Sequence, residues 1–273
     1  MLAGGAFAGA AYMLYEAQWL RRVDRRLLVP EVAADLDGLT IVQLSDLHAG
    51  FGPSLNVRAL RKAVDLTLAA RPDLVVVTGD FAGGPFSQSA WQRQLRRLMA
   101  PLGVLGVMGN HDHGDSKAPF VSAMDPELVT GCGVRLLMNE VVTLRRGGAV
   151  VQVGGVDDSS GGYDDLAAVE ASLDRRPEVL RLLLTHHAEV ALRAAPGDFH
   201  LALAGDTHGG QIRIPLPGGP VPLSDLGARF VEGYHEVDGR RIYVTRGVGT
   251  SLLPFRAFCR PEIVVLHVVA GPK

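Results

Sequence analysis

Cysteine is too scarce in this chain to carry structure or chemistry. Its 2 cysteines, Cys132 and Cys259, lie far apart and show no metal-ligand spacing, which excludes a disulfide framework and a zinc knuckle. Both read as buried free thiols. An excess of either charge is also missing: 27 basic and 29 acidic side chains nearly cancel, so no nucleic-acid partner is indicated and any phosphate binding must be local. No apolar strand runs into a nucleophile elbow, which argues against serine or thiol catalysis. What remains is a chain of 273 residues, 47% hydrophobic and 21% charged, long enough for one sizeable core and too ordered in composition for disorder. The expected organisation is an appendage over residues 1–29 and a catalytic domain over 30–273.

Residues 2–20 are apolar and small, broken only by Glu16 and Gln18, and are followed by Arg21, Arg22, Arg25 and Arg26. A helix there barely reaches the roughly 20 residues that cross a bilayer, and Ala and Gly contribute little transfer energy. The run is read as a membrane anchor. A surface or domain-packing helix is the alternative, and a signal remnant fits worse because no basic residue precedes it. The arginine flank favours a membrane-associated protein whose following domain lies on the cytoplasmic side. Pro30 is read as opening a linker.

Histidine is the informative residue, because most of the 9 fall in a few short segments, each at the end of an apolar run. Leu39–Leu44 reads as a strand that delivers Asp46 and His48, whose i, i+2 spacing puts a carboxylate and an imidazole on one face. A helix with Val57, Leu60, Val64 and Leu68 on one face stops at Pro72, and the strand 74–77 then delivers Gly79-Asp80. Trp91, Leu95 and Leu98 form the apolar stripe of the next helix. The strand 104–108 leads into Gly109-Asn110-His111-Asp112-His113, where the Gly-Asn pair breaks the run into a loop. Residues 119–130 resemble a helix closed by Gly131. Strands follow over 134–138, 141–145 and 149–153, the last two joined by a Gly147-Gly148 turn. Asp157 and Asp158 are read as an exposed acidic turn, and a helix runs from Asp164 or Asp165 to Leu173. The strand 180–184 ends in Thr185-His186-His187, of which His186 is favoured as a ligand because it comes first. The strand 200–204 delivers Gly205-Asp206-Thr207-His208-Gly209-Gly210-Gln211, repeating the Asp-x-His spacing. Residues 215–220 read as a surface loop, and strands at 241–244 and 263–269 flank a Gly-rich turn, 245–251, with weak phosphate-binding character.

Asp46, His48, Asp80, Asn110, His186, Asp206 and His208 supply nitrogen and oxygen without thiolate, which suits a divalent metal such as Mn, Fe or Zn. Seven ligands exceed one site. Two ions roughly 3.5–4 Å apart, bridged by a carboxylate, use them all and form a clamp for in-line phosphoryl displacement.

These segments, in this order over residues about 40 to 270, resemble the calcineurin-like metallophosphoesterase family. Thr207-His208-Gly209-Gly210-Gln211 and the tail from Arg246 to Ile263 resemble its membrane-associated branch, which includes bacterial enzymes hydrolysing UDP-2,3-diacylglucosamine. The resemblance implies an α/β four-layer αββα sandwich, two mixed β-sheets flanked by helices. It implies that Asp46, His48 and His208 hold one divalent ion, that Asn110, His186 and residue 206 hold the other, and that Asp80 bridges. It further implies that His111, steadied by Asp112, contacts the phosphate with Asn110 and protonates the leaving oxygen. The family usually has His where this chain has Asp206, and a carboxylate there implies altered metal preference. The expected substrate is a phosphorylated small molecule or phospholipid-type compound. The alternatives are a soluble nucleotide or cyclic-nucleotide phosphodiesterase and a metal-binding scaffold without catalysis.

Overall fold

Most of the apolar runs that end in polar motifs are strands, and along them successive side chains go to opposite layers. The computed structural model describes residues 2–49, 55–82, 87–115, 121–224 and 228–271. From the N-terminus the chain forms α1 (Leu2–Glu16), β1 (Arg21–Val29), β2 (Thr40–Leu44), α2 (Leu55–Ala69), β3 (Leu74–Thr78) and α3 (Gln88–Leu95). Then come β4 (Val104–Val107), α4 (Asn110–His113), α5 (Glu127–Thr130), β5 (Arg135–Leu136), β6 (Glu140–Arg146), β7 (Ala149–Gly155) and α6 (Leu166–Ala171). The last elements are β8 (Leu180–Leu184), β9 (Leu201–Ala204), β10 (Arg213–Leu216), β11 (Gly219–Pro222), β12 (Gly233–Val237), β13 (Arg240–Val244) and β14 (Glu262–Ala270).

Two six-stranded mixed sheets result, ordered β1-β14-β2-β3-β4-β5 and β12-β13-β9-β8-β7-β6. Leu74 and Val76 of β3 meet Leu182 and Leu184 of β8 in a core between the sheets. Val75 and Val77 turn outward against Leu60 and Val64 of α2 and Trp91 and Leu95 of α3. On the far side, Leu183 and Ala202 pack against Leu166 and Val169 of α6. These three apolar interfaces make the four-layer α/β sandwich expected from sequence. Because β2, β3 and β4 are parallel in one sheet and β8 and β9 in the other, their C-terminal ends lie together at one edge.

Four local expectations are corrected. Residues 21–29, expected within the appendage over 1–29, belong to the first sheet: β1 pairs in parallel with β14 along its whole length, from Arg21 opposite Glu262 to Val29 opposite Ala270. Val23, Leu27 and Val29 are buried, while Asp24, Arg25 and Arg26 between them are exposed. The helix expected over 119–130 is a single turn, Glu127–Thr130; Pro126 disfavours helical conformation in Asp125, and residues 119 and 120 lie outside the described residues. The segment 215–220 is a hairpin rather than an irregular loop, with β10 and β11 joined across Pro217 and Gly218. Residues 134–138 form a strand only over Arg135–Leu136.

The apolar N-terminal run is helical only to Glu16, and no helix among the described residues is long and apolar enough to cross a membrane. A chain starting at Pro30 loses β1 and bares the edge of β14. With Leu27 and Val29 each contributing about 1.5–3 kcal/mol of burial, its thermal midpoint is expected to fall well below that of a chain starting at Trp19. Equal midpoints in calorimetry would show that β1 contributes nothing to the core.

Candidate metal centre

Five strand ends deliver the predicted ligands to one place. Asp46 and His48 follow β2, Asp80 follows β3, Asn110 follows β4, His186 follows β8, and Asp206 and His208 follow β9. The two sheets are tied beneath them, where the Gln43 side chain donates to the carbonyl of Ala204 at 3.0 Å. The backbone N–H of Asp206 donates to Asp46 Oδ1 at 3.1 Å, so the ligand loops of the two sheets are in direct contact. Asp46, His48, Asp80, Asp206 and His208 all adopt positive φ, a conformation that ordinary side chains avoid. Such strain persists where the surroundings over-determine the backbone, as two packed sheets do here. Gly79, at φ +88°, lies so close to His186 that a Cβ there would collide with the imidazole.

The side chains converge closely. His48 Nε2 and His208 Nε2 are 2.9 Å apart, and His208 Nε2 is 3.6 Å from Asp46 Oδ1. Asp80 Oδ2 sits 3.3 Å from His48 Nε2 and 3.5 Å from His186 Nε2. Its other oxygen accepts the backbone N–H of His111 at 3.0 Å, so one carboxylate oxygen faces both imidazoles. His186 Nδ1 donates to the carbonyl of Thr78 at 2.8 Å, which fixes the tautomer and leaves Nε2 its lone pair. Two overlapping groups, Asp46-His48-His208 and Asp46-Asp80-His186, each bring their ligand atoms within 4.8 Å of one another.

The electrostatics show what this cluster lacks. Burial pushes Asp46 up to about 7 and His48 down to about 3, and it drives His208 well below the ordinary histidine range. Burial opposes charge on Asp80 and His186 as well, yet their mutual attraction holds Asp80 below the usual carboxylate range and raises His186. Asp46 Oδ2, Asn110 Oδ1 and His186 Nε2 are buried without a hydrogen-bond partner. The neutral imidazoles of His48 and His208 and the unpartnered oxygens around buried carboxylates fit divalent cations, which would supply the missing positive charge.

Around this centre the residues take distinct places. The His111 ring stands edge-on to His48 with centroids 4.6 Å apart, and it lines a cleft of about 400 Å³ with Asp80, Asp206 and His208. Asp112 supports the loop: it accepts from the backbone N–H of Phe81 at 2.9 Å, Ala82 at 3.2 Å and Gly109 at 3.0 Å. These three contacts are all to backbone amides, of the loops that carry Asp80 and His111. Burial and the neighbouring Asp80 push Asp112 up to about 8 against the pull of those amides. The Gly-rich turn 245–251 braces the Asp46 backbone, with Val248 N–H donating to Ser45 O at 3.0 Å and Gly249 N–H to Asp46 O at 2.7 Å, and its last residue, Ser251, reaches the cleft. Asp157 and Asp158, expected in an exposed turn, are buried, because Asp157 meets His113 at 2.7 Å and Asp158 meets His187 at 3.0 Å. Burial opposes charge on Asp158, but the His187 imidazole beside it and hydrogen bonds from Ser160 and Gly161 bring it down to about 2.

Sequence reasoning missed Arg256 and Glu16. Arg256 is fully buried and donates to the carbonyls of Gly249 at 2.6 Å, Arg246 at 2.7 Å and His208 at 3.2 Å. Glu16, at the end of α1, accepts the backbone N–H of Phe258 at 3.0 Å and of Cys259 at 2.5 Å. A charged residue within an apolar run was the only signal for Glu16, and nothing in the sequence distinguished Arg256.

The family model for calcineurin-like phosphoesterases matches residues 39–210. The chain belongs to that family. It is 31% identical over 269 residues to the Bacillus subtilis metallophosphoesterase YkuE, covering 97% of this chain and 90% of the relative. It is 32% identical over 272 residues to the Escherichia coli phosphodiesterase YaeI, covering 96% and 93%. Among solved structures, Haemophilus influenzae NAD nucleotidase overlaps 81% of this chain and 45% of its own, at 15% identity and a TM-score of 0.49. The protein is a metal-dependent phosphoesterase, and its buried His/Asp groups fit a dinuclear site.

Chelation is expected to abolish phosphoester hydrolysis, and divalent metal to restore it. Because Asp80 Oδ2 faces both His48 and His186, Asp80→Ala is expected to remove more bound metal than His48→Ala or His186→Ala, read by elemental analysis. Full activity in metal-free protein would contradict the assignment.

Proposed function

We propose that Asp46, His48 and His208 hold one divalent ion, that Asn110, His186 and Asp206 hold a second, and that Asp80 bridges them. The observation that carries this reading is the position of Asp80 Oδ2, within 3.5 Å of imidazoles from both sheets. A pair of bound divalent ions supplies charge neutralisation and lowers the pKa of an attacking water. The chain's own residues do the rest. Asn110 and His111 flank the phosphate, and His111 protonates the leaving oxygen from the open side of the cleft. Asp112 keeps the 109–113 loop in register with Asp80.

The substrate we propose is a phosphate ester or pyrophosphate with an apolar tail, of the lipid-linked or UDP-lipid type, met at a membrane surface. The walls of the cleft support this. Ile212, Leu223, Leu252 and Leu253 line it beside the acidic centre, and the last three are more than half exposed. Residues 207–224 and 247–261, which supply these walls, contain no Asp or Glu, so they present no charge repulsion to an anionic lipid surface. Beyond them α1 exposes Phe7, Tyr12 and Tyr15, and the Tyr12 ring touches Phe258. In this reading the chain belongs to the membrane-associated branch, and α1 lies on the bilayer. From the arginines that follow α1, the catalytic domain works on the cytoplasmic side. A second reading, a phosphodiesterase acting on nucleotides or cyclic nucleotides, rests on the identity to YaeI, which is named a phosphodiesterase.

A metal-reconstituted comparison of UDP-lipid, diester, monoester and cyclic-nucleotide substrates tests the choice. Replacing Leu252 and Leu253 by Ser is expected to raise KM for the lipid-tailed substrate more than for p-nitrophenyl phosphate; equal changes would favour the nucleotide reading. His111→Ala is expected to keep its metals and lose about 10²–10⁴-fold in turnover on poor leaving groups, with a smaller loss on aryl phosphates, which depart without a proton. Equal losses on both substrates would make His111 a binding residue.

A further inference from the structure

The second metal group contains a residue that the ligand set above leaves unused. His187 follows His186 at the end of β8, and His186, His187 and Asp206 bring their ligand atoms within 4.8 Å of one another. Asp206 Oδ1 is nearly equidistant from the two imidazoles, 3.7 Å from His186 Nε2 and 3.6 Å from His187 Nε2. The two rings stand edge to face with centroids 5.0 Å apart, so their nitrogens approach Asp206 from different directions.

Beside His187 lies a buried carboxylate. Its Nδ1 lies 3.0 Å from Asp158 Oδ1, and Asp158 is itself fully buried. The other oxygen of Asp158 accepts from Ser160 Oγ at 2.5 Å and from the backbone N–H of Gly161 at 3.0 Å, so the carboxylate cannot turn away. A carboxylate close beside one ring nitrogen, with the other nitrogen facing a cluster of donors, is the kind of surrounding a ligating histidine has. The carbonyl of His187 also accepts from Thr185 Oγ1 at 3.1 Å, which ties down the backbone of the pair. Without His187 the second group draws one imidazole nitrogen, from His186, against oxygens from Asp80, Asn110 and Asp206.

We propose that His187, oriented by Asp158, is a ligand of the ion held by His186 and Asp206. This rests on the two-ion reading above. The assignment makes the second site two-nitrogen, which shifts its preference toward borderline metals such as Zn and Fe and away from Mg.

Metal binding by the full chain tests it without reference to any substrate. Stoichiometry and affinity for Zn and Mn are measured by elemental analysis and competition with a chromogenic chelator. The wild-type chain is expected to bind two ions. His187→Ala is expected to keep one and to weaken the other by at least about 10-fold, and Asp158→Asn to weaken the same ion by about 10–100-fold. In the double variant His187→Ala, Asp206→His, the new imidazole is expected to restore the second ion. His187→Asn, which keeps much of the side-chain volume without the imidazole, gives the same reading if the alanine variant unfolds. Two ions at wild-type affinity in both His187 variants would overturn the assignment and leave the two-ion reading standing. A wild-type chain that binds fewer than two ions would overturn both.

Discussion

Three carboxylates, Asp46, Asp80 and Asp206, converge with imidazoles where the C-terminal edges of two sheets meet, and Asp46 and Asp80 are almost wholly removed from water. Bringing like charges into a low-dielectric site costs several kcal/mol per ion unless something compensates them. The rest of the fold is consistent with that demand. Five of the seven predicted ligands sit at positive φ, and the strain is borne by strands whose both faces are packed. Divalent cations are the compensation that the donor chemistry fits. Site and fold are therefore linked: the sandwich forces the charges together, and a divalent ion held by these residues would relieve their repulsion.

Behind the ligands a second set of residues fixes their loops. Asp112 gathers three backbone amides, the Gly-rich turn after β13 hydrogen-bonds the backbone of Asp46, and Arg256 collects carbonyls from the loops around His208 and Gly249. Arg256 is the largest fully buried cation here, and burial depresses its pKa while the surrounding carbonyls satisfy its donors. The chain of contacts continues outward. Cys259 Sγ meets the carbonyl of His208 at 3.3 Å, and its backbone N–H is held by Glu16. The last residue of α1 is thus two contacts away from a predicted metal ligand. The N-terminal helix is part of the catalytic domain's support, whatever else its exposed face does.

The cleft itself is asymmetric. On one side stand Asp80, His111, Asp206 and His208; on the other, Ile212, Leu223, Leu252 and Leu253 stand with Gln211, Ser224 and Ser251, and no carboxylate is among them. A phosphate at the polar side leaves the remainder of a substrate against the apolar side.

Sequence by itself determined most of the core strands, the order of the motifs and the seven candidate ligands, because each candidate follows an apolar run with strand period and a polar break. These are local signals: Asp-x-His after β2 or β9 places both groups on one side of the chain wherever the strand goes. It also determined the family, through motif order. The tertiary structure alone decided which ligands share a neighbourhood, since Asp80 meets His48 and His186 only when two sheets close on each other. It decided that residues 21–29 are a strand, a pairing across 241 residues between Arg21 and Glu262 that no local pattern announces. It turned Asp157 and Asp158 from an exposed acidic turn into buried partners of His113 and His187. In each of these cases the deciding interaction is between segments distant in sequence, where burial depends on what arrives from elsewhere in the chain.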